Sequence, residues 1–223
     1  MLSNDGNSIA VISQTLRDAI QQLSDEEAPI TYALIGCVIG VFIIELWVTV
    51  TRSLNSIEVF ASGIFGVAPT IGWLLSPLLH RGFQHLLANL FGLFILGVPL
   101  EKHWSKKRYL GFLIVTGYLS TVGGGVLLSV FTDQQIASYG ASGIVFALGG
   151  YGLTHLLRNH SRFSSLHRIV LLFGTSALLT VIIDPFTGPY FGPDWINGGH
   201  LVGLVAGGIA GWNGLSNCSL DHY

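Results

Sequence analysis

Six stretches of this chain are long and apolar enough to cross a lipid bilayer, at about residues 31–51, 83–103, 108–131, 142–158, 167–184 and 197–216. A crossing takes roughly 17–25 mostly apolar residues, and in hydrocarbon each backbone N–H and C=O must find its partner within the segment, so each stretch is expected to be an α-helix. Charge usage agrees. Charged residues make up 10% of the chain, against about 25% in a soluble domain, and too few remain to cover a water-facing surface. The expected fold is an all-α membrane bundle of six helices over residues 31–216, with an N-terminal segment 1–30 and a tail 217–223. In that first segment Ile9, Ile12, Leu16, Ile20 and Leu23 recur at helical spacing after Ser8, which predicts a short amphipathic helix lying on the membrane or packing back on the bundle.

A net charge of −2 supplies no basic field for nucleic acid. Cys37 and Cys218 form neither a disulfide framework nor a metal-ligand spacing, and no metal or other cofactor is expected. The start of the chain, MLSNDGNSIA, lacks the basic run before an apolar stretch that marks a signal peptide.

Direction follows from Lys and Arg. Lys102, Lys106, Lys107 and Arg108 lie between spans two and three, and Arg158, Arg162 and Arg168 between four and five, whereas Arg52 and Arg81 fall on the other side. The face carrying seven of the ten basic residues is expected to be cytoplasmic, with both termini on it. The connection over 54–80 is long, mostly apolar, and punctuated by Gly63, Gly66, Pro69, Gly72 and Pro77. It is expected to dip into the outer interface beside the bundle, its backbone satisfied by protein.

Spans two, four and six run from outside to inside, and each carries polar residues near its outer start. His85 and Asn89 share one face of span two. Span four begins Gly140-Ala141-Ser142-Gly143, and span six Asn197-Gly198-Gly199-His200. All four polar side chains follow the last charged outer residue (Arg81, Asp133 or Asp194) by four to nine positions. At 1.5 Å per residue they share a slab about 6–13 Å below that margin. Lipid penalises such groups unless they face the bundle interior or a wet cavity. Gly203, Gly207, Gly208 and Gly211 on span six, with Gly143, Ala147, Gly149 and Gly150 on span four, give the small-residue spacing that lets helix backbones touch in lipid. Such packing would bring His200 within reach of Ser142, as a serine nucleophile and its base require.

In this order and topology, His85-x-x-x-Asn89, Gly140-x-Ser142-Gly143 and His200-x-x-Gly203-x-x-x-Gly207 resemble the motifs of the rhomboid proteases. His80 and Glu101 also match, and the resemblance covers roughly residues 70–212. It implies a six-span intramembrane serine endopeptidase of prokaryotic type, in a prokaryotic cell membrane, that cuts single-span membrane proteins near the outer end of their span. It further implies a dyad in which Ser142 attacks and His200 is base and then acid, with the Ser142 amide, His85 and Asn89 facing the oxyanion. Phe146 stands where many members have tyrosine beside the catalytic histidine, and Leu74 follows Trp73 where the family often has arginine.

Other polar residues have plainer readings. His155, His160 and His167 lie among arginines at the inner margin and are expected to be solvated. Glu45 is expected to reach the interface or bond a loop, Glu101 to tie the inner loops, and Asp184 and Asp194 to shape the turn they flank rather than orient His200. Two rivals come from other classes. A transporter is disfavoured by the absence of an internal repeat. A catalytically inactive relative acting as a membrane chaperone is disfavoured by the presence of both Ser142 and His200.

Overall fold

The computed structural model describes residues 25–52, 71–132, 138–158, 165–187 and 198–215, together with Gln14, Arg17, Asp18, Gln21 and Leu23. Every regular element among them is helical. We number these α1 (Pro29–Arg52), α2 (Ile71–Leu75), α3 (Phe83–Gly92), α4 (Val98–Glu101), α5 (Lys106–Tyr118), α6 (Gly124–Thr132), α7 (Ser142–Arg158), α8 (Ser165–Thr187) and α9 (Gly198–Trp212). A π-turn over Leu93–Gly97 joins α3 to α4. It falls just before Pro99, which has no N–H to give and breaks the regular ladder. A second π-turn, Leu119–Gly123, joins α5 to α6.

Among the described residues, four helices are by length and composition able to cross a membrane: Pro29–Thr51, Phe83–Glu101, Lys106–Val126 and Leu166–Ile183. Helices α7 and α9, expected as the fourth and sixth spans, have 17 and 15 residues. They extend only about 26 and 22 Å, against a hydrocarbon core of roughly 30 Å. Helix α7 is largely buried, and α9 lies chiefly against it with one face outward. Outward faces are apolar, as lipid demands: Ile43 and Trp47 on α1, Leu172 and Ile182 on α8 and Ile209 on α9 are all more than half exposed.

The main core cluster gathers around Leu93, Leu96, Tyr109, Leu148 and Tyr151. At its basic end, Glu101 does more than tie loops. Its buried carboxylate accepts the Ile30 and Thr31 amides at 2.9 and 2.8 Å and the Thr31 hydroxyl at 2.8 Å. These are first-turn amides of α1, which have no acceptor in their own helix, and a negative charge suits that end of the dipole. Tyr109 completes the knot, its hydroxyl 3.1 Å from the Thr31 hydroxyl and donating to the Gly97 carbonyl at 3.1 Å.

Leu23, the last residue of the expected amphipathic stripe, is buried against Ala28, Val98 and Leu166, so this part packs back on the bundle; Ile9, Ile12, Leu16 and Ile20 lie outside the described residues. Of the 54–80 connection the described part is α2, a 3₁₀ turn over Ser76–Leu78, and an extended Leu79-His80. Ser76, Leu79 and His80 are buried, so this stretch is embedded in protein as its apolar composition predicts.

Candidate active site between two glycine-lined helices

Helices α7 and α9 run parallel with their backbones in contact. A side chain at Gly203 would collide with the Gly143 carbonyl, one at Gly207 with the Ala147 carbonyl, and one at Gly211 would lie 2.6 Å from the Tyr151 carbonyl. Both helices thus advance four residues per contact, one turn against one turn. At the upper end, the His200 ring lies flat on the Phe146 ring, with centroids 4.0 Å apart and planes 8° from parallel. Phe146 is one turn below Ser142, and residues four apart share a helix face. His200 therefore stands on the face of α7 that carries Ser142. Both side chains are half-buried.

Ser142 is the first residue of α7, so its amide has no acceptor in its own helix and sits at the positive end of the helix dipole. The lead-in is held by Gly140, whose φ of +106° suits glycine. Its N–H donates to the Ser76 carbonyl at 2.7 Å, and a Cβ there would sit 2.8 Å from His85 Cε1. His85 thus packs against the backbone two residues before Ser142.

A second group is built on His80. The Glu45 carboxylate of α1, fully buried, accepts the His80 backbone N–H at 3.1 and 3.3 Å. His80 Nδ1 lies 2.9 Å from the Leu78 carbonyl, which can only accept, so Nδ1 carries the proton. Nε2 is then an acceptor, and Asn89 Nδ2 donates to it at 2.9 Å. Burial above all, helped by nearby His85 and opposed by the Leu78 carbonyl, pushes His80 down to about 4, which keeps the ring neutral. The His80 and His85 centroids are 5.1 Å apart, and Tyr139 stands edge-on to His85 at 6.2 Å.

The residues singled out in the sequence fall into two adjoining groups. Ser142, Gly143, Phe146, His200, Gly203 and Gly207 line the α7–α9 contact, while His80, His85, Asn89 and Gly140 form its flank. Asn89 gives one of its two N–H bonds to His80, leaving one for any other acceptor. Glu45 bonds the connection rather than reaching the interface. Three supports had no sequence motif. Ser120 meets both helices, since a side chain at Gly143 would collide with its Cβ and one at Gly203 would lie 3.0 Å from its Oγ. Ser76 donates to the Thr121 hydroxyl at 3.0 Å, and Tyr139 backs His85. The only signal was a pair of polar residues, Ser120-Thr121, inside an apolar span.

His155 corrects the expectation of a solvated side chain, while His167 stays partly exposed. His155 is 8% exposed, lies over Tyr151 with centroids 5.1 Å apart, and stands 5.3 Å from the His103 ring, itself 6.3 Å from His167. Tyr151, fully buried, offers the flat surface on which His155 is covered. Among the described residues no group of three His, Cys, Asp or Glu could hold a metal. Asp184 falls within α8, which runs on to Thr187; the turn it was expected to shape, with Asp194, His160 and Cys218, lies outside the described residues.

Comparison with known proteins gives a matching identity. The family model described as Rhomboid domain matches residues 68–217. RHOMBOID-like protein 5 of Arabidopsis thaliana is 31% identical over 136 residues, 60% of this chain and 40% of the relative. RHOMBOID-like protein 1 of the same plant is 32% identical over 131 residues, 57% of this chain and 32% of the relative. Rhomboid protease GlpG of Salmonella newport (strain SL254) is 31% identical over 129 residues, 58% and 43%. The chain spans less than half the length of these relatives. The family match covers well over half of the chain and takes in both glycine-lined helices, and the chain belongs to the rhomboid family.

Proposed function

We propose that this protein is an intramembrane serine endopeptidase working through a Ser142–His200 dyad. The observation that carries this reading is the flat stacking of His200 on Phe146, one turn below Ser142. It puts a base on the nucleophile's own helix face at the mouth of a contact too tight for any other side chain. The protease named among the relatives adds support.

In the mechanism, His200 takes the Ser142 hydroxyl proton as the oxygen attacks the scissile carbonyl, then hands it to the leaving amine. The oxyanion forms beside the Ser142 amide, with His85 and the second Asn89 N–H as side-chain donors. His80 holds Asn89 in place, and Glu45 holds His80. Six crossings are retained, with α7 and α9 as the short fourth and sixth. Because they begin below the outer surface, Ser142 and His200 sit at shallow depth. The natural substrates are then single-span membrane proteins cut near their outer end, in a membrane whose cytoplasmic side takes both termini of this chain.

A fluorophosphonate probe should label the detergent-solubilised protein, and Ser142→Ala and His200→Ala should each abolish labelling and cleavage of single-span substrates. Labelling that survives in Ser142→Ala would place the nucleophile elsewhere, and a folded wild type that neither labels nor cleaves would favour the inactive relative.

A further inference from the structure

An apolar groove of about 570 Å³ opens between the first half of α1 and the length of α5. Its walls are Ala33, Leu34 and Cys37 from α1 and Leu110, Ile114 and Tyr118 from α5, with Pro77 and Leu78 closing the far end. At its near end stand Lys106 and Lys107. These two exposed lysines occupy the first turn of α5, where no acidic residue accompanies them. The position is electrostatically adverse, because a helix N-terminus already carries partial positive charge. Among the described residues the one ion pair is Lys102 with Glu26, so neither lysine has a carboxylate in reach. The groove follows α5 from Lys106 to Tyr118, a rise of about 18 Å, close to the roughly 15 Å of hydrocarbon that one leaflet provides.

We propose that this groove seats one phospholipid with an anionic headgroup, its phosphate against Lys106 and Lys107 and one acyl chain along Leu110, Ile114 and Tyr118 to Leu78. Basic pockets between spans recognise such headgroups. Both halves of the molecule are matched here, two lysines with no carboxylate partner among the described residues and an apolar slot one leaflet deep. Neutral phospholipid would satisfy only the slot. The chain end would touch Leu78, whose carbonyl fixes the His80 ring, so the seat adjoins the Glu45–His80 support without entering the site.

The test uses the full chain in nanodiscs doped with phosphatidylglycerol or phosphatidylcholine carrying a photoreactive acyl chain, with cross-links mapped by mass spectrometry. Phosphatidylglycerol should label peptides bearing Ala33–Cys37 and Leu110–Tyr118 in preference to phosphatidylcholine, by about fivefold for each lysine engaged. Lys106→Gln with Lys107→Gln should bring the two lipids level, whereas Arg168→Gln, on α8 and away from the groove, should not. Ala33→Phe, which fills the slot, should reduce groove labelling by both lipids. Melting temperatures within a few degrees of wild type keep misfolding out of the comparison. Equal labelling by both lipids, or equal enrichment on α8, would mean an ordinary lipid shell and overturn the proposal. Competition by inorganic phosphate, or full labelling in Ala33→Phe, would reduce it to a headgroup contact and overturn the seat.

Discussion

Asn89 Nδ2 donates to His80 Nε2 at 2.9 Å inside the bundle, so the side chain proposed to face the oxyanion is itself held by a neutral histidine. This gives Asn89 two separable jobs. Leaving a buried donor or acceptor unpaired costs about 1–3 kcal/mol. Asn89→Ala and His80→Ala should therefore each lower thermal stability, and the double variant should lose less than the two losses added, because one bond is counted twice. Turnover should divide differently. Loss of an oxyanion donor costs about a hundred- to thousand-fold in kcat, so Asn89→Ala should fall in that range with KM little changed, and His80→Ala should fall less. Equal kcat losses would make Asn89 a purely structural partner of His80.

The Phe146–His200 stack yields a sharper test of positioning. An aromatic pair contributes about 0.5–1.5 kcal/mol beyond its burial, here spent on holding a base rather than on chemistry. Phe146→Tyr keeps the ring and should retain most activity. Phe146→Ala frees the His200 ring and should lower kcat by about tenfold, the equivalent of about 1.4 kcal/mol. Fluorophosphonate labelling followed in time should slow in the same proportion. If Phe146→Ala labels at the wild-type rate, the stack serves packing alone.

The bundle, and the close contact between the helices that carry Ser142 and His200, were legible because lipid makes sequence blunt. Apolar runs long enough to cross can hardly be anything but helices, and polar or small residues inside them must face protein. Span four, read as 142–158, matches α7, and the glycines expected to let backbones touch do so at Gly203, Gly207 and Gly211. What sequence could not supply was partnership between distant segments. Glu45 and His80 are 35 residues apart and Glu101 and Thr31 are 70 apart, and no local pattern tells which buried carboxylate meets which amide. The expectation for His155 failed for a related reason. Neighbouring arginines suggested water, but Tyr151, one turn before His155, offers a flat apolar surface that only the packed bundle reveals.

His103 lies in the short turn between α4 and α5, outside the spans, and burial pushes it down to about 4, with further lowering from His155, Lys102 and His167 and a smaller opposing effect from Glu26. In the unfolded chain it titrates near 6.5. Between these values the unfolded chain binds the proton and the folded one does not, so stability falls as pH drops from about 6.5 to about 4. His103→Gln removes that contribution. Its melting temperature should drop less than that of wild type over the same window, while the two respond alike between pH 7 and 8. A parallel fall in both proteins would assign the acid sensitivity to other groups.

Neighbouring glycines on α9 separate helix propensity from helix contact. A Cβ at Gly208 would meet nothing closer than Thr154 Cγ2 at 3.7 Å, an ordinary contact, whereas one at Gly207 would strike the Ala147 carbonyl. Alanine favours a helix over glycine by about 1 kcal/mol, so Gly208→Ala should leave stability and cleavage unchanged or slightly improved. Gly207→Ala gains the same propensity but forces α9 off α7, and overpacking of this kind costs about 1–3 kcal/mol. Since the same two helices carry Ser142 and His200, the separation should also reach the dyad. Gly207→Ala should lower kcat, and Gly203→Ala, two turns nearer the site than Gly211, should lower it more than Gly211→Ala does. The measurement is cleavage rate beside melting temperature for the four variants. If activity tracks stability alone, with no gradient from Gly211 toward Gly203, the glycine contact maintains the fold without setting the geometry between Ser142 and His200.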